Sequence, residues 1–317
     1  MREILKYSNL IFLYALSHSY LATCFAIDLK IQGYEERYIG LSLSMWGIGV
    51  IFGAVRDKPS KAHLHQLKAE VINKHKPNDS LIVFDNPTIG RKLTDINKSN
   101  PYLRIGLNSF MQDDGIFNNE NCKPDRWEKI KSTLGLEVKP WRRSGSHILI
   151  ILQKLYDASL RGVEKERPLK HLKWLENVVQ EIKSNSDREI IIRPHPLSLN
   201  DPREMSWLMD SKIPVQPRCG KSIVDDLKNC WACVTFTSGS AIDAIIEGIP
   251  TVTYDSGSMA YPICDKDCKD IENISMPDRD QWLHNLAYTQ WHMNEMDSGA
   301  PWLHLKERVN ENFLIYL

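Results

Sequence analysis

The sequence predicts an α/β protein of two doubly wound, Rossmann-like lobes, residues 1–143 and 144–280, with a cleft between them and a closing helical segment, 281–317. Three observations carry that expectation. Short β-branched runs alternate with stretches of helical periodicity, which is the rhythm of βαβ units and so of parallel sheets. The rhythm pauses at Lys139-Pro-Trp-Arg-Arg-Ser-Gly145, whose Pro, Gly and basic residues suit a connection between domains. From Pro277 the pattern turns wholly helical and aromatic. At 317 residues the chain is long for one core and comfortable for two.

In chain order, the apolar run 10–16 reads as a buried strand, followed by a Ser17-His18-Ser19 turn and a helix over 20–32. It is too short to span a bilayer, which takes about 20 residues, and a first strand fits it better than a secretory leader. Gly47, Gly49 and Gly53 lie inside an apolar run rather than between a strand and a helix, so they make a weak phosphate loop. A helix over 62–74 and strands over 81–84 and 102–106 complete the first lobe. In the second, strands are predicted over 147–153, 189–193, 232–236 and 251–254. Helices are predicted over 169–183, 203–209, 223–228 and 241–247. Gly248 is a natural residue to end the last of these, and Pro250 prevents its continuation. The C-terminal stripe of Trp282, Leu286, Tyr288, Trp291 and Trp302 has helical spacing and reads as core packed across both lobes.

Composition excludes some functions. Forty Lys and Arg balance forty Asp and Glu, so no global field draws the chain to nucleic acid or a membrane, and a polyanion would need a local basic cleft. Apolar residues are 42% and charged residues 25%, ordinary for a globular protein. Seven scattered Cys suit reduced thiols in a cytoplasm-like compartment. Cys230-Trp-Ala-Cys233 has the spacing of a redox pair, but it closes a helix and opens a strand, the reverse of the redox arrangement. Structural burial is expected instead.

Two stretches organise the chemistry. Ile190-Ile-Ile-Arg-Pro-His-Pro196 ends a strand in Arg193 and His195, and Val234-Thr-Phe-Thr-Ser-Gly-Ser240 ends one in hydroxyls and opens a helix. Parallel strands that present a cation, an imidazole and a hydroxyl-rich helix start at their C-terminal ends form a receptor for phosphate. Arg193 is expected to grip a phosphate through two donors. Ser238, Ser240 and Thr237 offer hydroxyls, Gly239 permits close backbone approach, and Arg142 is a further donor-binding candidate. His195, stiffened by a Pro on each side, is placed to assist a departing oxygen. Ten His occur, and of these only His18, His147 and His195 fall near predicted strand ends. Asp113-Asp114-Gly115 follows another strand and reads either as a turn or as the bearer of a general base. Asp113 is the first candidate for that base, Asp114 the second and His18 the third.

The ordered trio Asp113-Asp114-Gly115, His195-Pro196 and Ser238-Gly239-Ser240 resembles the acidic-Gly, His-Pro and Ser-rich motifs of bacterial sialyltransferases and capsule-polysaccharide glycosyltransferases of GT-B fold. The resemblance implies a base at Asp113, assistance to the leaving phosphate by His195, and donor phosphate on Ser238 and Ser240. Gly239 departs from the usual adjacent serines and leaves the donor's identity open. A second resemblance covers about two thirds of the chain. The segments 107–119, Asp125-Arg-Trp127, Pro140-Trp-Arg142, Asp187-Arg188 with Arg193-Pro-His-Pro196, and Trp282-Leu-His-Asn-Leu-Ala-Tyr288 resemble a tailed-phage family associated with glycosylation of hydroxymethylated DNA bases. It implies a 5-hydroxymethylcytosine acceptor, a nucleoside-diphosphate sugar donor (UDP-sugar favoured) and a host-cell cytoplasm. Arg56, Lys58, Lys61, Arg91 and Lys92 are then candidate DNA-phosphate contacts.

The expected activity is metal-independent, inverting glycosyl transfer, with no cofactor beyond the nucleotide-sugar and no membrane insertion. Inversion is expected because there is one base and no evident nucleophile. Three alternatives stay open. One is a CMP- or NDP-sugar-dependent transferase for a surface or capsular glycan. Another is a non-catalytic nucleotide-sugar-binding protein. The third is a metal-dependent enzyme using Asp265-Lys-Asp267, which the position of that triplet beyond the last strand disfavours.

Overall fold

The structure is a computed structural model, and it describes residues 80–90, 100–210, 213, 223–296, 298–305 and 315–316. The expected strand over 10–16, the apolar run holding Gly47, Gly49 and Gly53, the helices over 20–32 and 62–74, His18, and the basic residues Arg56, Lys58, Lys61, Arg91 and Lys92 lie outside the described residues.

The strands are β1 (Ser80–Asp85), β2 (Tyr102–Leu107), β3 (His147–Ile151), β4 (Glu189–Arg193), β5 (Cys230–Thr235), β6 (Thr251–Thr253), β7 (Gln290–His292) and β8 (Ile315–Tyr316). The helices are α1 (Asp125–Leu134), α2 (Arg167–Asn185), α3 (Pro202–Asp210), α4 (Ile223–Leu227), α5 (Ser240–Ile246), α6 (Asp280–Ala287), α7 (Met293–Met296) and α8 (Ala300–Leu305).

The second half forms a parallel sheet in the order β4-β3-β5-β6. Its strands are continuous apolar runs because both faces are covered. Ile148, Ile150, Ile192 and Val234 face α2, packing on Leu172, Leu175, Val178 and Ile182. The alternate residues Leu149, Ile151, Ile191 and Cys233 face α4 and α5, meeting Ile223, Leu227 and Ala244. This period-two division with helices on both sides is the doubly wound arrangement. Gly248 ends α5 with φ 76°, its amide donating to the Ile245 carbonyl at 3.0 Å. Cys230 and Cys233 are both buried thiols inside β5, and burial pushes the Cys230 thiol up to about 12. That suits packing rather than redox exchange.

Among the described residues, the other sheet departs from the parallel pairing expected of the strands over 81–84 and 102–106. Its order is β7-β2-β1-β8, with β1–β2 and β2–β7 antiparallel and only β1–β8 parallel. Apolar runs reveal strands but not their direction, which the intervening connections set. The C-terminal segment is also not wholly helical, since β7 pairs with β2 through Tyr102–His292, Leu103–Trp291 and Arg104–Gln290.

A shared core joins the two sheets. Ile89, Tyr102, Phe117, Trp127 and Ile130 pack with Ala241, Ile242, Ile245 and Ile246 of α5 and with Trp282, Leu283 and Leu286 of α6. All seven residues of α5 are buried, one side on the parallel sheet and the other on this second core. Residues 139–142 are pinned along its end, with Lys139 N on the Ile246 carbonyl (2.9 Å) and Arg142 N on that of Gly248 (2.6 Å). No helix among the described residues is long and apolar enough to cross a membrane.

Candidate active site

In the parallel sheet the chain leaves β3 for β4 on one side and returns to β5 on the other. The C-terminal ends of β3 and β5 are therefore a topological switch point, where following loops diverge and leave a crevice. Gln153 and Thr237 mark it. The Thr237 amide donates to Gln153 Oε1 at 3.0 Å, and Gln153 Nε2 donates to Thr237 Oγ1 at 2.7 Å. The Thr237 hydroxyl donates to the Ser159 carbonyl at 3.1 Å, tying the loop after β3 to the loop after β5.

The loop after β3 carries Arg161, with φ 58°, followed by Gly162 with φ 68°. Arg167, at the start of α2, holds this reversal by donating to the carbonyls of Arg161 (3.2 Å), Tyr156 (3.0 Å) and Gly162 (3.0 Å). Thus one arginine fixes the backbone from which the other projects.

Asp113, on the loop after β2, docks against this edge. One of its oxygens accepts from Arg161 Nη2 and the other from the Ser256 hydroxyl. Gln112 N donates to the Gly257 carbonyl at 2.9 Å, and Met111 is buried beside it. Gly257 gives a close fit there, since a Cβ would press on the ends of the Met111 and Arg161 side chains and displace them. Arg161 also meets Asp255 (Nε–Oδ1 3.2 Å) and Asp114 (Nη2–Oδ2 3.9 Å). Burial raises the Asp113 carboxyl, but the Ser256 and Arg161 hydrogen bonds and the Arg161 charge outweigh it, so the net shift is downward. Asp114 is the more exposed of the pair, its side chain 61% accessible against 28% for Asp113.

Ser238, Gly239 and Ser240 follow Thr237. Ser238 Oγ donates to Ser240 Oγ at 3.1 Å, and Ser240 itself is buried. The amides of Ala241 and Ile242 are bonded to the carbonyls of Ser238 and Gly239, both at 3.1 Å. The start of α5 is thus less open to an anion than its sequence implies, and what it offers is the exposed edge at Gly239, where a Cβ would meet nothing within 4 Å. His195, past β4, is half-buried at the same edge of the sheet. Its Nδ1 accepts the Leu197 amide at 3.2 Å, which assigns the proton of the neutral ring to Nε2.

Other sequence candidates sit elsewhere. The Arg193 guanidinium pairs with Asp226 inside the core, both residues buried, so it is directed away from the crevice. It occupies the strand position expected, but the strand's alternation turns its side chain toward α4. Arg142 lies at the opposite end of the sheet, donating to the carbonyls of Leu227 (2.6 Å) and Cys230 (3.0 Å). His147 begins β3 at that same end, with Nε2 3.1 Å from the Asp226 carbonyl oxygen. Of the Asp265-Lys-Asp267 triplet, Asp265 accepts the Ser275 amide (2.9 Å) and Asp267 pairs with Lys269 (2.7 Å). Among the described residues no cluster of three or more His, Cys, Asp or Glu is arranged to hold a metal ion.

Arg161, Asp255, Ser256, Arg167 and Gln153 were not singled out in the sequence. The signal was present, because Asp157 to Gly162 and Asp255 to Gly257 are polar, Gly-containing stretches that follow strands, as the recognised motifs do. Two cavities lie apart from this edge. One of 490 Å³ is lined by Arg142, Ser146, Lys228 and Asn229 at the opposite end of the sheet, and one of 340 Å³ by Lys183, Asp187, Arg188 and Ile190 beside edge strand β4. The site is therefore identified by its chemistry and topology rather than by its depth.

No protein-family model matches the chain, and no curated protein does. Solved structures give a distant likeness. Thermosulfurimonas dismutans KpsC, beta Kdo 2,4 transferase, aligns over 74% of this chain and 79% of its own at 14% identity, with a TM-score of 0.47. Thermosulfurimonas dismutans KpsC, beta Kdo 2,7 transferase, aligns over 78% and 90% at 15% identity, with a TM-score of 0.44. At this distance no residue role is transferred from either protein.

Proposed function

We propose that the protein is a metal-independent glycosyltransferase that moves a sugar from a nucleotide-activated donor to a hydroxyl acceptor. The observation that supports this is the docking of a carboxylate pair from one half on Arg161 and Ser256 of the other, at the edge of a doubly wound sheet where His195 and the hydroxyl-rich loop also follow strands. The reaction requires those groups. A carboxylate of the Asp113–Asp114 pair takes the acceptor's hydroxyl proton as its oxygen bonds to the anomeric carbon. The bond from that carbon to the donor phosphate breaks with its electron pair on the phosphate oxygen. His195 Nε2, aided by Ser238 and the Gly239 edge, hydrogen-bonds the departing phosphate. With the pair acting as base and the acceptor oxygen displacing the phosphate in one step, the anomeric centre inverts.

UDP-sugars are the favoured donors. Of the two acceptors raised by the sequence, 5-hydroxymethylcytosine in duplex DNA remains the one proposed, and a surface or capsular glycan hydroxyl is its rival. The former would also place the protein in a host-cell cytoplasm.

The test is thermal-shift screening against UDP-, GDP- and CMP-sugars, then mass spectrometry of hydroxymethylated DNA and of glycan acceptors with the best donor. Asp113→Asn and Asp114→Asn are assayed alongside; loss of the general base lowers turnover by about 10²–10⁴. Donor binding without turnover, indifferent to both substitutions, would identify a binding protein and end the catalytic reading. Binding to duplex DNA that weakens steeply with salt favours the DNA acceptor, and none at low salt removes it.

A further inference from the structure

Arg161 is the cation at the crevice whose commitments are least secure. Of the other basic groups near this edge, Arg193 at the end of β4 is sunk against Asp226, and Lys154, just past β3, faces the fully buried Glu204 at 3.5 Å. Arg167 is spent on three backbone carbonyls. Arg161 is 35% exposed, and it stands among three carboxylates, more negative charge than one guanidinium neutralises. Its Nε, 3.2 Å from Asp255, lacks hydrogen-bond alignment. Ser159, two residues earlier, is bonded to Thr237, and two residues of chain span at most about 7 Å. Arg161 therefore hangs between the carboxylate pair and the hydroxyl-rich loop.

We propose that Arg161 is the donor-phosphate cation of this site, and that donor binding draws it from Asp113 to the phosphate, leaving Asp113 free to act on the acceptor. This rests on the glycosyl-transfer reading and adds an order to it, donor before acceptor. Asp113 is the partner proposed to give way: its contact with Arg161 is the aligned hydrogen bond, but it comes from the other half and is more exposed than Asp255, 28% against 19%. It does not leave the site, because the Ser256 hydroxyl and the Gln112–Gly257 backbone bond hold its loop without Arg161. The same contacts let the electrostatic link be removed while the loops stay docked. An aspartate gripped by arginine is a weak base, and one released beside a phosphate-bound arginine is a stronger one.

Calorimetric titration of the full chain with inorganic pyrophosphate, and then UDP, tests this. Arg161→Gln is expected to weaken pyrophosphate binding about tenfold or more, the scale of a lost charge-assisted contact. Asp113→Asn is expected to tighten it about threefold or more, because a competing carboxylate has gone. A pairing that merely staples two loops predicts the opposite sign for Asp113→Asn. Unchanged affinity in Arg161→Gln, weaker binding in Asp113→Asn, or no pyrophosphate binding by the wild type would overturn the proposal. Should Arg161→Gln fail to fold, the sign of the Asp113→Asn effect decides alone. Pyrophosphate binding with this pattern but no sugar transfer would refute the function and keep the cation. Transfer by Arg161→Gln with an unchanged donor KM would do the reverse.

Discussion

Arg193 separates two pictures of this sheet edge. At the end of β4, beside His195, it suits a phosphate grip by sequence, yet its guanidinium is 9% exposed and paired with Asp226, whose side chain is fully buried. Truncation to Ala leaves the Asp226 charge in the core without that partner. Breaking a buried pair on one side costs roughly 3–5 kcal/mol, against a total stability of roughly 5–15 kcal/mol for a folded protein. At about 2 cal/mol/K of unfolding entropy per residue, each kcal/mol moves the melting point of a chain of this size by about 1.5 °C. Arg193→Ala should therefore lower Tm by roughly 4–8 °C in calorimetry, with a matching loss of stability in urea titration followed by circular dichroism. Below its transition the variant should bind pyrophosphate within about twofold of wild type, since no ligand contact has been removed. Arg193→Met combined with Asp226→Leu should regain most of the lost stability, because an apolar pair avoids the desolvation that burying charges costs. A variant that melts like the wild type but has lost its affinity for pyrophosphate would refute the reasoning and return Arg193 to the ligand.

Other expectations follow from the same structure. Glu295 accepts from Arg126 and Lys129; burial works against its ionisation, but these partners win and hold its carboxyl at about 2. A lowered carboxyl stabilises the fold above its ordinary value of 4.5 and loses that contribution as pH falls through about 2. Glu295→Gln should therefore cost roughly 3 kcal/mol near neutral pH and flatten the acid limb of the stability curve. Gly248→Ala places a Cβ at φ 76° into the Pro140 carbonyl, so a loss of more than about 1 kcal/mol is expected by urea titration. EDTA should leave glycosyl transfer unchanged; abolition with rescue by Mn²⁺ would oppose a metal-free site. His195→Gln should lower turnover with a leaving phosphate more than donor affinity, read as kcat falling further than KM rises.

The second half was legible because burial on both faces writes itself into the strands. Leu149 and Ile150 point to opposite helices yet are both apolar, so β3, β4, β5 and β6 read as unbroken runs separated by helical periodicity. The other sheet was less so. The three residues of β7 sit among Trp282, Tyr288 and Trp291, where aromatic spacing suggests helix, and only the pairing with β2 makes them a strand. Helix α1 also escaped notice, since Asp125-Arg-Trp-Glu-Lys-Ile-Lys is mostly charged and its apolar anchors there are only Trp127 and Ile130, with Arg126 buried beside them. Strand direction was invisible for a deeper reason: it is set by the connection to β1 and by pairing with β7, which lies nearly two hundred positions from β2.

The candidate site follows the same division between local and distant information. A strand that ends in polar residues announces itself, which is why Asp113, His195 and Ser238 could be picked out singly. What could not be read is which side chain turns outward at each end. Arg193 and His195 are two residues apart, one buried against Asp226 and the other half-buried past the strand's end. Arg161 was missed because it lies in no motif, and its place depends on a left-handed turn that Arg167 stabilises from the next helix. Its meaning depends in turn on Asp113 and Asp255, which lie some fifty and ninety residues away. A guanidinium shared by carboxylates from both halves is a relation, and relations of that kind exist only once the sheets have packed around α5. On the reading proposed above, pairing and anion binding compete for one guanidinium, so a substitution that weakens the pairing should strengthen the binding, by at most the pairing free energy it removes.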